Sequence, residues 1–434
     1  MKKITVAGAG VGGLATAYVL SQNGFSVCVY EKNSESEMGY DWADCIEKNI
    51  FERVGLKYPG AKELPTLKRV CYFSPSKNVR LDEPERDKSG LGCIERKDLA
   101  RFLIAECRKS GVEFYFETEI IGADYENNFV TGIKIKSSGE EKIVKSDLVI
   151  DACGMNSPVR RSLPNEYGIE KDISDDDIFF VYRGYHKRGE YKEYNPPYRM
   201  YFFHNKVRGL DWVISENDYY DVLIGAFGKL NNEEIESNKA DFIAEYPDMS
   251  NEPFRGGTVS KIPVRPALPV FVCNGYAAIG DSAFMTEPLS GSGIGLNFRA
   301  ASALAKTVIE NKDKPFDAKT LWKYNREYLS EFGFNQFMPY NIRKMLCVLT
   351  SEELNCLFDN RVLTEAEIIG PAAKYSLAEL LKKGGIVLKK KNVIKAMAGF
   401  ALKNKKIEKI KSALPSEYNE NDIKAWTNLY KKTI

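Results

Sequence analysis

The pattern of apolar and polar positions at the start of the chain predicts a strand, a glycine-rich turn, a helix and a second strand. Residues 4–7 are apolar or β-branched and lead directly into Gly-Ala-Gly-Val-Gly-Gly at 8–13. Apolar residues then recur at helical spacing from Leu14 to Leu20, and Gly24 ends the predicted helix. A second apolar strand follows at 26–30. This order predicts a parallel βαβ unit.

Later segments show both helical and strand periodicity. Helices are predicted over 42–56, from about 94 to Gly111, over 293–310 and, with interruptions, from 335 to the end. Strands are predicted around 113–124, 129–136, 148–150 and 277–279. Residues 176–230 are rich in aromatic and β-branched side chains, which predicts an antiparallel sheet.

The glycines of the first turn have the spacing of a loop that binds the diphosphate of a dinucleotide. Gly8 permits the tight turn, Gly10 lets the backbone approach the diphosphate, and Gly13 lets the helix pack close to the strand. The helix start offers free N–H groups to phosphate oxygens, and Glu31 can accept hydrogen bonds from a ribose. The predicted dinucleotide contacts here are Gly8, Gly10, Val11, Gly12, Gly13, Glu31 and Lys32.

Composition limits the remaining functions. The chain has 434 residues, of which 44% are hydrophobic and 28% charged, as is typical of a multidomain globular protein. A net charge of +2 predicts no nucleic-acid partner. The nine cysteines are scattered without a C-x-x-C, and there are only two histidines, so we predict no disulfide framework and no metal site. The absence of a signal peptide and of a long apolar run predicts a cytoplasmic location.

Two later segments carry further candidate chemistry. The strand ending at Gly280-Asp281 places an aspartate where it can bind a ribityl hydroxyl. The segment from Pro288 to Ile294 contains Gly291 and Gly293 and opens a helix. Free N–H groups at that helix start can face a diphosphate or the anionic edge of an isoalloxazine.

With residues 1–31, the segment 147–160 and the helix start at Arg96, these segments resemble FAD-dependent oxidoreductases of the glutathione-reductase superfamily. The resemblance is to the branch shared by aromatic-ring hydroxylases and geranylgeranyl reductases, and it covers residues 1–310. It implies FAD as the cofactor. The further FAD contacts that it implies are Arg96, Gly154, Gly280, Asp281, Pro288, Gly291, Gly293 and Ile294.

The resemblance also provides two candidates on the substrate side. Trp212 matches the tryptophan of the reductases' Tyr-x-Trp-x-Phe-Pro strand, and Cys45 lies where they carry a Cys-Gly-x-Gly-Ile segment. Cys153 lies where the hydroxylases have the aspartate of their Ala-Asp-Gly motif. The absence of this aspartate favours the reductases over the hydroxylases. Cys45 and Trp212 are therefore the predicted catalytic residues.

The predicted fold class is α/β, with three parts. A Rossmann-like FAD domain with a parallel sheet comprises 1–70, 95–175 and 265–330, and an antiparallel-sheet substrate domain comprises 71–94 and 176–264. A helical, lysine-rich region at 335–434 is expected to pack on the outside.

The resemblance implies a reductase that transfers hydride from flavin N5 to a C=C bond of an isoprenoid-like or other hydrophobic substrate. Two alternatives remain open: a monooxygenase acting on an aromatic compound or small natural product, and a non-catalytic flavin electron relay. Because no second G-x-G-x-x-G follows a strand, electrons are expected from NAD(P)H that docks transiently or from an electron-transfer protein.

The segment 374–411 contains twelve lysines and two acids, a local net charge of 12 − 2 = +10. Apolar residues lie between the charges, so the segment has the composition of a basic amphipathic surface that associates with anionic lipid. The alternative is a helical cap with a solvated lysine face. Peripheral membrane association is therefore one of two predictions for this segment.

Overall fold

The computed structural model describes residues 1–60, 69–83, 88–190, 192–364 and 390–434. Within these ranges the chain forms eighteen β-strands in four sheets, and ten α-helices. The connections include 3₁₀ helices at Glu35–Glu37, Lys48–Val54, Asn165–Tyr167, Asp175–Asp177, His204–Lys206, Gly280–Ala283 and Gly333–Gln336.

A six-stranded sheet forms the centre of the first layer. Its strands are β1 (Lys3–Ala7), β2 (Ser26–Tyr30), β7 (Glu113–Tyr115), β11 (Leu148–Asp151), β17 (Val272–Cys273) and β18 (Tyr276–Ala278). The order is β17-β18-β11-β1-β2-β7, and only the β17–β18 pair is antiparallel. The predicted parallel sheet is thus confirmed, and the carboxyl ends of β1, β2, β11 and β18 meet at one edge.

Helices cover this sheet through buried side chains that belong to the same hydrophobic core. They include α1 (Val11–Gln22), α2 (Arg96–Lys109), α3 (Pro158–Ser162), α5 (Ile294–Glu310) and α6 (Ala318–Glu331). In α2, for example, Leu99, Leu103 and Cys107 recur every four residues and are buried. The helices predicted from about 94 and over 293–310 are confirmed.

The helix predicted over 42–56 is wrong in its first half. Residues Ala43–Glu47 form β3, which pairs in antiparallel fashion with β6 (Leu91–Glu95), and a 3₁₀ helix follows. The helical spacing of Ile50 and Val54 belongs to that 3₁₀ helix. The pairing partner β6 lies more than forty residues away, so the local pattern did not predict the strand.

A seven-stranded sheet forms the second layer. Its strands are β4 (Val70–Phe73), β5 (Arg80–Asp82), β12 (Ile178–Arg188), β13 (Tyr198–Phe202), β14 (Leu210–Ser215), β15 (Tyr219–Phe227) and β16 (Met249–Pro263). The order is β16-β12-β15-β14-β13-β4-β5, antiparallel except at β13–β4. The predicted antiparallel sheet is confirmed. Helix α4 (Asn232–Glu245) packs on it through Ile235 and Phe242.

A separate three-stranded antiparallel sheet lies in the sequence between β7 and β11 of the six-stranded sheet. It consists of β8 (Glu119–Glu126), β9 (Phe129–Ser137) and β10 (Glu140–Lys145). The predicted strands at 113–124 and 129–136 correspond to β7, β8 and β9.

The carboxyl-terminal helices are α7 (Phe337–Cys347), α8 (Ser351–Asp359), α9 (Lys391–Ser412) and α10 (Glu420–Lys431). They do not simply pack on the outside, as the sequence led us to expect. Ile410 and Trp426 belong to the principal hydrophobic core, and the Tyr430 hydroxyl donates to the Ala267 carbonyl at 2.6 Å. Because these side chains are large and apolar, the last helices complete the main core.

The lysine-rich segment 374–411 is described only in part. Residues 374–389 lie outside the described residues, whereas 391–411 belong to α9. Helix α9 buries Val393, Met397 and Phe400 and leaves lysines exposed on other faces. Among the helices in the described ranges, none is both long enough and apolar enough to cross a bilayer.

Candidate functional site

A cavity of about 1220 Å³ lies between the carboxyl edge of the six-stranded sheet and the seven-stranded sheet. Cavities for drug-sized ligands usually measure roughly 300–1,000 Å³, so this one can hold more than one small molecule. Its glycine-rich part is lined by Gly10, Gly12, Glu31, Gly154, Asp281 and Gly293. Its apolar part is lined by side chains that include Phe202, Leu223, Met345, Leu354, Phe358 and Phe400.

The first glycine loop owes its shape to close packing against Ala152 and Cys153, the residues that follow β11. Gly8 has a φ of +90°, and a Cβ there would lie 2.6 Å from the Ala152 carbonyl oxygen. A Cβ at Gly13 would lie 2.7 Å from the Ala152 side chain. Gly10 is the N-cap of α1 and supplies no capping side chain, so the first N–H groups of the helix remain available to a ligand. Such a helix start binds a diphosphate.

Glu31, directly after β2, fixes the same loop. One carboxylate oxygen accepts a hydrogen bond from the Ala9 N–H at 2.9 Å, and the other accepts from the Asn33 N–H at 3.0 Å. The side chain is buried but lines the cavity. Each oxygen keeps a further lone pair, so the carboxylate can also accept hydrogen bonds from ribose hydroxyls.

The second loop follows β18. Gly280 has a φ of +67°, which favours glycine, and Asp281 accepts a hydrogen bond from the Thr286 hydroxyl at 2.9 Å. Burial raises the pKa of Asp281 above its ordinary value. A hydroxyl donor from a ligand would stabilise this carboxylate. Nearby, Gly293 is the N-cap of α5 and directs a second helix start toward the cavity.

Most of the predicted FAD contacts line this one cavity. They are Gly10, Val11, Gly12, Glu31, Lys32, Arg96, Gly154, Gly280, Asp281, Gly291, Gly293 and Ile294. Cys45 and Trp212 line it as well. Gly8, Gly13 and Pro288 lie outside the lining, so their part in binding would be to shape the two loops.

An arginine network that sequence reasoning missed lies in the cavity wall. Arg183 of β12 donates to both carboxylate oxygens of Asp221, at 3.0 and 2.6 Å, and to Asp44 at 3.2 Å. Asp44 also accepts from Arg96 at 3.1 Å. Burial opposes the charge of Arg183, but Asp221, together with Tyr185 and Asp44, outweighs burial and holds the pKa of Arg183 above its ordinary value. The available signals were Arg183 within the largely apolar run at 178–185 and Asp221 as the one charged residue of β15.

The aromatic side of the wall is built around Trp212. Its ring packs edge-on against Tyr198 at 5.9 Å and lies 5.3 Å from the Arg183 guanidinium. The indole N–H of Trp212 is buried and has no hydrogen-bond partner within the described part of the chain. Burial also raises the pKa of Tyr198, so its phenol stays protonated at neutral pH. This wall therefore combines the Trp212 ring and the protonated Tyr198 phenol with the Arg183 guanidinium.

Two glycine loops, two helix starts and a strand-end acid at one sheet edge define a dinucleotide-binding oxidoreductase fold, and these residues fit FAD. Residues 1–329 match the FAD binding domain family, and the chain belongs to that family. The prediction of FAD as the cofactor is thus confirmed.

The relatives point to the same branch as the sequence motifs. The chain is 24% identical over 385 residues to a digeranylgeranylglycerophospholipid reductase of Sulfolobus acidocaldarius, covering 86% of this chain and 84% of the relative. The fold resembles a geranylgeranyl bacteriochlorophyll reductase-like protein of Thermoplasma acidophilum, with a TM-score of 0.72 and 19% identity over 92% of this chain and 99% of that one. The predicted resemblance to geranylgeranyl reductases is confirmed.

A halogenase shares the fold less closely. The myxobacterial chondrochloren halogenase, a FAD-dependent enzyme, has a TM-score of 0.61 and 16% identity, covering 100% of this chain and 97% of that chain. The hydroxylase-like alternative therefore shares the architecture, while the reductase relatives are the better match in structure.

Proposed function

We propose that this protein is a FAD-dependent reductase that saturates a C=C bond in an isoprenoid-like or other hydrophobic substrate. The observation that carries the proposal is the continuity of one cavity from two glycine loops to an apolar part formed by β-strands and carboxyl-terminal helices. A cavity of this kind can hold an extended hydrophobic chain beside a dinucleotide. The names of the reductase relatives support the same substrate class.

In this proposal, different residues bind the cofactor, exclude water and hold the proton. When bound, reduced FAD supplies hydride to a carbon atom, as flavins do. The glycine loops and the starts of α1 and α5 hold and orient the cofactor. Trp212 and Leu223 cover the substrate side and exclude water. Reduction of a double bond also needs a proton, and the Tyr198 hydroxyl, kept protonated by burial, holds one at its oxygen in the cavity wall.

The test is a single turnover without oxygen. Protein reduced with dithionite under strict anaerobiosis should be reoxidised by an unsaturated isoprenoid, and mass spectrometry should detect a product heavier by two hydrogen atoms. Tyr198→Phe should slow reoxidation while the flavin spectrum stays unchanged. Reoxidation that requires oxygen, with a product one oxygen atom heavier, would support the monooxygenase instead. Reoxidation only by a partner protein would support the electron relay.

The source of electrons is a further part of the proposal. We infer that they come from NAD(P)H that docks transiently or from an electron-transfer protein, because within the described residues the G-x-G-x-x-G pattern follows a strand only at 8–13. Anaerobic mixing with NADH, NADPH or a reduced ferredoxin-type protein should separate the two sources by the rate of flavin bleaching.

Peripheral membrane association belongs to the same proposal. Along α9, Lys391, Lys395, Lys405 and Lys409 are exposed, and Leu402 is 62% exposed. Lysines around an exposed leucine suit an anionic lipid surface, from which a hydrophobic substrate could be drawn. Deleting the segment is a poor test because Phe400 and Ile410 are buried in hydrophobic clusters. Charge-reversal variants of exposed lysines avoid this problem.

A further inference from the structure

Two cysteines of the small two-stranded sheet lie with their sulfur atoms in contact. The Sγ atoms of Cys45 and Cys93 are 3.2 Å apart, and neither residue forms a disulfide. A disulfide has an S–S distance of about 2.0 Å, so the two sulfur atoms need to approach each other by only about 1.2 Å. The strands bring together residues that are 48 positions apart in the chain.

The backbone register suits a covalent link. Cys45 of β3 lies directly opposite Cys93 of β6. The Arg96 N–H bonds the Trp42 carbonyl and the Lys48 N–H bonds the Gly90 carbonyl, both at 2.9 Å. Because hydrogen-bonded and non-hydrogen-bonded pairs alternate along an antiparallel ladder, Cys45 and Cys93 form a non-hydrogen-bonded pair. Such pairs have a Cα separation near 4.5 Å, which lies within the range of disulfides.

The surroundings leave the thiol of Cys45 accessible from the cavity and favour the thiolate form of Cys93. Cys45 is exposed and lines the cavity, whereas Cys93 is half-buried. The thiol–thiol hydrogen bond lowers the pKa of Cys93 and raises that of Cys45. The Asp44 carboxylate raises the pKa of both thiols, and the nearby Arg183 guanidinium partly offsets this effect. A stabilised thiolate beside a reachable partner thiol is the arrangement of reactive cysteine pairs.

We propose that Cys45 and Cys93 are a redox-active pair that closes reversibly into a disulfide by exchange with a small-molecule disulfide. The thiolate of one cysteine attacks a sulfur of that disulfide, the S–S bond breaks, and one small thiolate leaves. The thiolate of the second cysteine then attacks the protein sulfur of the mixed disulfide and releases the second small thiolate. Two electrons pass from the protein to the small disulfide, and the two cysteine protons end on the two released thiols.

The consequence is a cross-link in the wall of the active cavity. Oxidation removes the thiol of Cys45 from the lining and ties β3 to β6 next to Asp44, whose carboxylate contacts Arg183 and Arg96. The ratio of oxidised to reduced thiols around the protein would therefore determine whether this disulfide is present in the wall of the substrate site. This inference does not depend on which reaction the flavin performs.

The test uses the full-length, FAD-loaded protein and glutathione as the probe. The protein is equilibrated with graded ratios of oxidised to reduced glutathione, alkylated under denaturing conditions, digested and analysed by mass spectrometry. We expect a peptide pair linked through Cys45 and Cys93. Two of the nine thiols should then no longer react with the alkylating reagent, and both should react again after reduction. The ratio at half-oxidation gives the reduction potential of the pair.

Matched variants identify the pair. Cys45→Ser and Cys93→Ser should each abolish the linked peptide and leave a glutathione adduct on the remaining cysteine. Cys347→Ser, which removes another cavity-lining cysteine, should leave the link unchanged. If wild-type protein forms no Cys45–Cys93 peptide even with excess oxidised glutathione, or forms only single glutathione adducts, the proposal is overturned. The wild-type measurement stands even if a variant fails to fold.

Discussion

The buried pair of Arg183 and Asp221 gives the sharpest test of how the cavity wall is held together. Their side chains are 8% and 7% exposed, and the guanidinium donates two hydrogen bonds to the carboxylate. Removing one partner of such a pair costs about 3–5 kcal/mol, because an uncompensated charge stays buried. Asp44 and the Ala43 carbonyl still accept from Arg183, at 3.2 and 2.9 Å. We therefore expect Asp221→Asn to cost about 3 kcal/mol, the lower end of that range.

A double-mutant cycle measures the pair itself. Urea unfolding of wild type, Arg183→Met, Asp221→Asn and the double variant would be followed by circular dichroism, with the FAD concentration held constant because bound cofactor adds apparent stability. The double variant should lose less than the sum of the single variants, by about 1.5–3 kcal/mol. Equal m-values in all four proteins would confirm that the unfolded states are comparable.

A surface pair serves as the control. Arg161 and Asp172 are 45% and 80% exposed at 3.1 Å, so Asp172→Asn should change stability by less than about 1 kcal/mol. Additive effects at Arg183 and Asp221, within about 0.5 kcal/mol, would refute the reasoning. The wall would then owe its order to packing against Trp212 rather than to the ion pair.

Three further outcomes are expected. The Gly10→Val variant should purify without flavin absorbance, because the valine side chain would occupy the diphosphate position. The control variant Gly399→Ala, where no atom lies near the added Cβ, should keep the flavin. A full complement of flavin in Gly10→Val would contradict the assignment of this loop. Burial raises the pKa of Asp281, so the apoprotein loses stability as pH rises through that pKa. The amide of Asp281→Asn does not titrate, so the apoprotein of this variant should be at least as stable as wild type at pH 7 in thermal unfolding. Its affinity for FAD, measured by fluorescence, should weaken about tenfold or more. Unchanged FAD affinity would exclude a role for the carboxylate. Lys405→Glu with Lys409→Glu should reduce co-sedimentation with anionic liposomes about tenfold or more at low salt, and equal sedimentation would support a solvated cap instead.

Short-range spacing made the glycine loops predictable. The loop at 8–13, its helix and Glu31 lie within about thirty residues, and each has a local steric or hydrogen-bonding requirement that the sequence displays. The wall could not be predicted in this way. Arg183 meets Asp44 across 139 positions and Asp221 across 38, and only the pairing of strands in the folded sheets brings them together. The strand at Ala43–Glu47 was missed for the same reason, since its partner is distant.

The participation of α9 in the cavity has a consequence for biosynthesis. The glycine loop at 8–13 leaves the ribosome long before Phe400, which lines the apolar part of the same cavity. The nascent chain therefore carries an incomplete hydrophobic cavity wall until α9 emerges, and exposed hydrophobic surfaces promote aggregation. A chaperone or an early ligand that covers this surface would matter most before Phe400 emerges.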